Sequence, residues 1–131
     1  MSEAPWKHQA IVLRVSKVEQ HPNAPHLDMV YFHHYPGVVS MKLEDGSPRY
    51  KEDELVVYIT EGSIVPEYLL RQGFWDEEKN IGLLSGPQGN RVKASNFRGI
   101  RSHGILFPLS VAEKFIPLEN GQDISEVLGV T

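Results

Sequence analysis

Four basic side chains, Arg91, Lys93, Arg98 and Arg101, fall within the first part of the stretch RVKASNFRGIRSHGILFPL (91–109), and no carboxylate stands among them. Guanidinium forks bind phosphate oxygens through paired hydrogen bonds. Arg91 and Lys93 alternate along the chain, which on a strand puts both on one face, and Arg98 and Arg101 bracket Gly99, where a backbone without Cβ can come close to a ligand. Ser102 offers a hydroxyl donor, and Phe97, if it points outward, offers a ring on which a base can stack. The chemistry these types and spacings predict is contact with phosphate, of nucleic acid or nucleotide, made by Arg91, Lys93, Phe97, Arg98, Arg101 and Ser102. The opposing reading pairs the arginines with some of the seventeen carboxylates of the chain and buries Phe97 in the core.

Other reactive patterns fail on spacing. GIRSHG (99–104) is not a nucleophile elbow, because G-x-S-x-G needs glycine two residues before the serine and position 100 is Ile. SGPQGNRVK (85–93) shares only its glycines with a phosphate loop, since G-x-x-x-x-G-K-[ST] does not occur. The six histidines, His8, His21, His26, His33, His34 and His103, include no H-E-x-x-H pair, and adjacent His33 and His34 on a strand would point to opposite faces, so no metal site is expected. Trp6, Tyr68 and Trp75 are read as packing residues and KEDE (51–54) as a solvated loop.

Charge adds a constraint. The 131 residues carry a formal −4, yet the segment 91–101 carries +4 and the remainder −8. A chain that coats nucleic acid by bulk electrostatics is basic throughout, so any such contact here must be local. The absence of cysteine removes disulfides, thiolate metal sites and cysteine nucleophiles. No apolar run approaches the roughly 20 residues of a membrane helix, and MSEAPWKHQA lacks the basic and apolar regions of a secretory signal. The expectation is a single cytoplasmic domain without a membrane partner.

The elements that must position these residues follow from periodicity. Residues 10–18 alternate, with Ile11, Leu13 and Val15 on one face, and read as a strand closed by the turn HPNAPHLD. Residues 27–35 and 37–43 read as a hairpin about Tyr35-Pro36-Gly37, and LVVYIT (55–60) as a central strand with Leu55, Val57 and Ile59 pointing one way. Pro66 opens a short helix that Gly73 ends, and 75–90 is a long loop. Residues 91–97 and 104–109 read as strands flanking the basic turn, and 123–129 as a terminal helix capped by Asp123 or Ser125. The fold class predicted is mostly β: a small OB-fold-like barrel with one or two short helices.

VEQHPNAPHLD (18–28), ELVVYITEGSIVPEYLLRQGFWDEEKNIGLLSG (54–86), NRVKASNFRGIRSHGILFPL (90–109) and GQDISEVLGVT (121–131) together resemble the amino-terminal domain of the Deinococcus-type ATP-dependent RNA ligases. The likeness covers nearly the whole chain, and its most specific part is the order of a strand ending V-V-Y-I, then SIVPEYLL, then R-V-K-x-x-x-x-R-G-x-x-S-x-G. It implies an OB-like RNA-recognition and docking module placed before a nucleotidyltransferase domain. That domain uses ATP and a divalent metal, Mg or Mn, to adenylate a lysine and join 3′-OH and 5′-phosphate RNA ends in RNA repair. The partners implied are RNA or RNA-containing duplex ends and the nucleotidyltransferase domain of the same chain.

The departures bear on activity. A covalent nucleotidyltransferase needs K-x-D-G, and the nearest approach, KLEDG (42–46), has one residue too many between Lys42 and Asp45. The chain stops at LGVT, where the family's chain passes into its catalytic domain, so it is expected to be an amino-terminal fragment, not catalytic alone and holding no cofactor itself. Relatives favour Gly-Asp before the fourth strand, where this sequence has Asp53-Glu54, and VYFHHYPGVV diverges as well. Two alternatives remain open. The tRNA-binding OB domain attached to some aminoacyl-tRNA synthetases shares H-P-N-A-x-x-L-D and R-G-x-x-S-x-G. A purely structural dock would pair the basic turn with protein carboxylates.

Overall fold

LVVYIT forms the strand on which the rest is assembled. The computed structural model describes residues 9–112 and 119–131, so Trp6 and His8 lie outside the described residues. Strand β5 (Leu55–Thr60) pairs antiparallel on one edge with β1 (Ala10–Arg14) and on the other with β10 (Gly104–Pro108). Its side chains leave both faces apolar, which is why the segment reads as a continuous hydrophobic run. Val57 and Ile59, with Ala10, Val12 and Phe107, face the helices α1 (Glu67–Leu70) and α2 (Ser125–Leu128). Val56 and Tyr58, with Ile11, Leu13, Val15 and Leu106, face Val30, Phe32 and Val38 of the second sheet region.

That second sheet has the order β2 (Lys17–Gln20), β3 (Leu27–Tyr31) and β4 (Val38–Met41). The single strand expected over 10–18 is two strands, because the chain breaks at Val15-Ser16 to leave one sheet and enter the other. Strands β3 and β4 form the predicted hairpin, in the register Val30↔Val38 and Leu27↔Met41. At its open end the buried Asp28 carboxylate is held 2.7 Å from Lys42 Nζ. Removing either partner of such a pair strands a buried charge. Asp53, in the turn ahead of β5, adopts φ 69, in the left-handed region that favours glycine.

Segment 121–124 covers the outer edge of β1: Val12 and Ile124 donate backbone N–H groups to Gln122 and Ala10, and Gly121 donates to Val12. The N-cap of α2 is Ile124, without a side-chain cap, and neither Asp123 nor Ser125 as expected; the Asp123 carboxylate accepts from the Ser125 N–H at 2.9 Å in the turn ahead of the helix, while the Ser125 hydroxyl accepts from the Ala10 N–H at 2.7 Å. The loop 75–90 carries a two-residue ladder of β6 (Trp75–Asp76) and β7 (Ile81–Gly82). It is folded tightly enough that a Cβ on Gly82 would lie 2.1 Å from the Gly89 carbonyl oxygen.

The region 91–109 departs from expectation. Residues 91–94 form no strand beyond isolated bridges at Arg91. Instead β8 (Ser95–Phe97) pairs with β9 (Ile100–Ser102), a hairpin of its own ahead of β10. His33 and His34 lie in a bend after β3, both exposed, with ring centroids 6.3 Å apart and not on opposite strand faces. The fold class is mostly β, with ten strands and two short α-helices among the described residues. No helix among the described residues is long and apolar enough to cross a membrane.

Candidate functional site

The hairpin β8–β9 turns in two residues, Arg98 at φ 51 and Gly99 at φ 90. Two successive positive φ angles are the backbone of a type I′ turn, whose twist matches that of the paired strands. Gly99 is required by this conformation and not by close approach, because a Cβ there would meet nothing nearer than Asn23 Nδ2 at 3.8 Å. Arginine in the left-handed region is unusual and must be held there.

The hold comes from the turn HPN (21–23). Buried His21 accepts the Asn23 N–H on Nδ1 at 3.0 Å, which leaves Nε2 as the protonated nitrogen, donating to the Phe97 carbonyl at 2.8 Å. Asn23 Nδ2 donates to the Arg98 carbonyl at 2.8 Å. Two carbonyls of the hairpin turn are thus fastened to one three-residue motif. The far side is fastened by Ser102, which is 4% exposed; its Oγ accepts the Val39 N–H at 2.9 Å and ties β9 to β4. Ser102 therefore spends its hydroxyl within the fold, whereas Arg91, Lys93, Arg98 and Arg101 are exposed.

Those cations are divided between two places. Arg98 and Arg101 stand on the hairpin. Arg91 and Lys93 line a cleft of about 570 Å³ whose wall includes Phe97, 40% exposed. The same cleft contains Arg49, which the linear sequence did not mark, together with Met41 and Leu83, 62% and 58% exposed. Among the described residues no Asp or Glu lines it. Arg49 Nε donates to the Met41 carbonyl at 3.1 Å and Arg91 Nη1 to the Gly62 carbonyl at 2.9 Å, so each fork is anchored by one donor and keeps the others.

Ion pairing does not consume this charge. Among the described residues the salt bridges are Lys17–Glu19, Lys42–Asp28 and Arg71–Glu67, and none involves a cation of the cleft or hairpin. Tyr50, buried behind the cleft, has its phenol pushed up to about 12 by burial, so it lines the wall as a neutral ring. The arrangement can bind anionic oxygens on Arg49, Arg91 and Lys93 while covering a flat apolar face with Phe97, Met41 and Leu83. Among the described residues no three His, Asp or Glu side chains converge as a metal ion would need.

No protein-family model matches this chain, and none of the curated proteins does. Solved structures do. RNA ligase from Naegleria gruberi with pyrophosphate superposes with a TM-score of 0.69 at 20% identity, over 96% of this chain and 35% of that one. The shared property is the fold. Substituted forms of the same ligase, one with AMP and Mn and one with ATP and Mn, give TM-scores of 0.68 at 20% identity, each over 94% of this chain and 34% of theirs. The chain spans about a third of the length of these ligase chains.

Proposed function

We propose that this chain is the nucleic-acid recognition and docking domain of an ATP-dependent RNA ligase of the Deinococcus type, an OB-like module that works ahead of a nucleotidyltransferase domain in cytoplasmic RNA repair. The observation that carries the reading is the set of exposed cations, free of ion pairs among the described residues, on a hairpin clamped by HPN and along the adjoining cleft. The likeness in fold to a ligase supports it, as do the motifs quoted from the sequence. In this reading Arg91, Lys93, Arg98 and Arg101 contact RNA phosphates, Phe97 contacts a base, and Ser102 keeps the hairpin seated.

ATP and a divalent metal belong to the parent enzyme in this reading. The residues at hand do not fit a nucleotidyl-transfer centre: no K-x-D-G occurs, and Lys42, the nearest lysine to such a pattern, is engaged by Asp28. The chain's own part is to bind and orient a phosphate backbone.

Fluorescence anisotropy with a nicked RNA-containing duplex at two salt concentrations tests this. The expected affinity is weak, on the order of 10⁻⁴ to 10⁻⁶ M, and falls with salt. Arg98→Ala and Arg101→Ala each weaken it and lower the salt slope by about one. Wild-type chain that ignores RNA but binds a nucleotidyltransferase domain supplied in trans would replace this reading with a purely structural dock.

A further inference from the structure

The cleft points to the form of nucleic acid that enters it, an inference that rests on the reading just given. Exposed apolar side chains and cations share its lining: Met41, Leu83 and Phe97 with Arg49, Arg91 and Lys93. In an A-form duplex the base faces are stacked on one another, so a protein meets phosphates, sugars and base edges. A duplex laid on this cleft would satisfy the cations and leave Met41, Leu83 and Phe97 wet. Unpaired nucleotides supply both a phosphate for each fork and a free ring face for each apolar side chain.

We infer that this cleft is a binding site for unpaired, single-stranded nucleotides. Its volume of about 570 Å³ is within the range of sites that enclose small organic ligands. A second hollow beyond Lys42 and Leu43 shares Met41 and Arg49 with it but also carries the Glu44 carboxylate, so the first cleft is the better site for phosphate. Lys42 is committed to Asp28 there, which leaves Arg49 as the cation serving both hollows. An acidic peptide would match the charges but offers no flat rings for the apolar walls.

The test is anisotropy of the 131-residue chain with a labelled single-stranded RNA and with the same strand annealed into a blunt duplex. Phe97→Ala and Leu83→Ala truncate exposed side chains, so unchanged thermal midpoints are expected and serve as the control for folding. The single strand should bind more tightly than the duplex. Phe97→Ala should weaken the single strand about fivefold or more and the duplex little, whereas Arg98→Ala should weaken both. Equal affinity for both forms with no effect of Phe97→Ala overturns the inference and leaves the nucleic-acid reading standing. A polyglutamate peptide binding as tightly as the single strand also overturns it. If neither RNA form binds, both readings fall.

Discussion

Arg98 sits at φ 51, in a left-handed conformation that costs a side chain with Cβ about 1 kcal/mol or more and that hairpin turns normally fill with Asn, Asp or Gly. Its presence there favours a role for the guanidinium over a role for the backbone. Arg98→Gly is accordingly expected to raise folding stability, by up to about 1 kcal/mol in urea unfolding, while weakening RNA binding; a loss of stability would contradict this account of the turn. The other residues proposed to make contact divide by how much of their role is written locally. Arg91, Lys93, Phe97 and Arg101 declare themselves by type and spacing, and all four are exposed. Arg49 does not, because it lies in EDGSPRYKEDE among carboxylates and joins the cleft only through its bond to the Met41 carbonyl. Ser102 carries the right chemistry but faces β4, and the facing direction of a residue in so short a strand is set by pairing the sequence does not display.

At the scale of elements, HPN and the basic hairpin are two motifs some 75 residues apart that form one unit through His21, Asn23 and the carbonyls of Phe97 and Arg98. The turn HPNAPHLD was legible from its Pro, Asn and Asp content; the element it supports was not. Ser95–Phe97 and Ile100–Ser102 are polar strands of three residues with only Phe97 and Ile100 apolar, too little alternation to mark a hairpin, and Arg-Gly replaces the usual Asn-Gly signal. Likewise 10–18 alternates only as far as Val15; Lys17 then falls on the apolar face and Val18 resumes out of phase, a slip of one residue that marks the passage between sheets at Val15-Ser16 too faintly to separate two strands. Asn23→Ala removes one arm of the clamp and should cost about 1 kcal/mol. Its specific signature is faster amide exchange at 98–101 with unchanged exchange in β5, read by NMR; uniform loss of protection across both would show that the clamp acts on the whole fold and not on the hairpin.

For the whole molecule, an interior on both faces of β1-β5-β10 places two large phenols away from water, Tyr58 and Tyr50. Burial pushes Tyr50 up to about 12 and Tyr58 higher still, the latter donating to the Pro36 carbonyl. The native chain keeps protons that the unfolded chain releases near pH 10, so these groups leave stability intact below about pH 10 and withdraw it as pH rises towards 12. Urea midpoints should fall between pH 9 and pH 11, and less steeply in Tyr50→Phe; a flat profile would contradict the burial argument. The same global view explains how an acidic chain presents a cationic surface: its −8 lies outside 91–101, and among the described residues no carboxylate lines the cleft. The most direct test is to map amide shift changes by NMR as RNA is added to the isotope-labelled chain. Changes concentrated at Arg49, 83–85 and 91–102, shrinking with added salt, are the predicted result. Changes centred instead on the exposed Tyr68 and Val127 of the helical side, with 91–102 silent, would contradict the assignment of this surface to RNA.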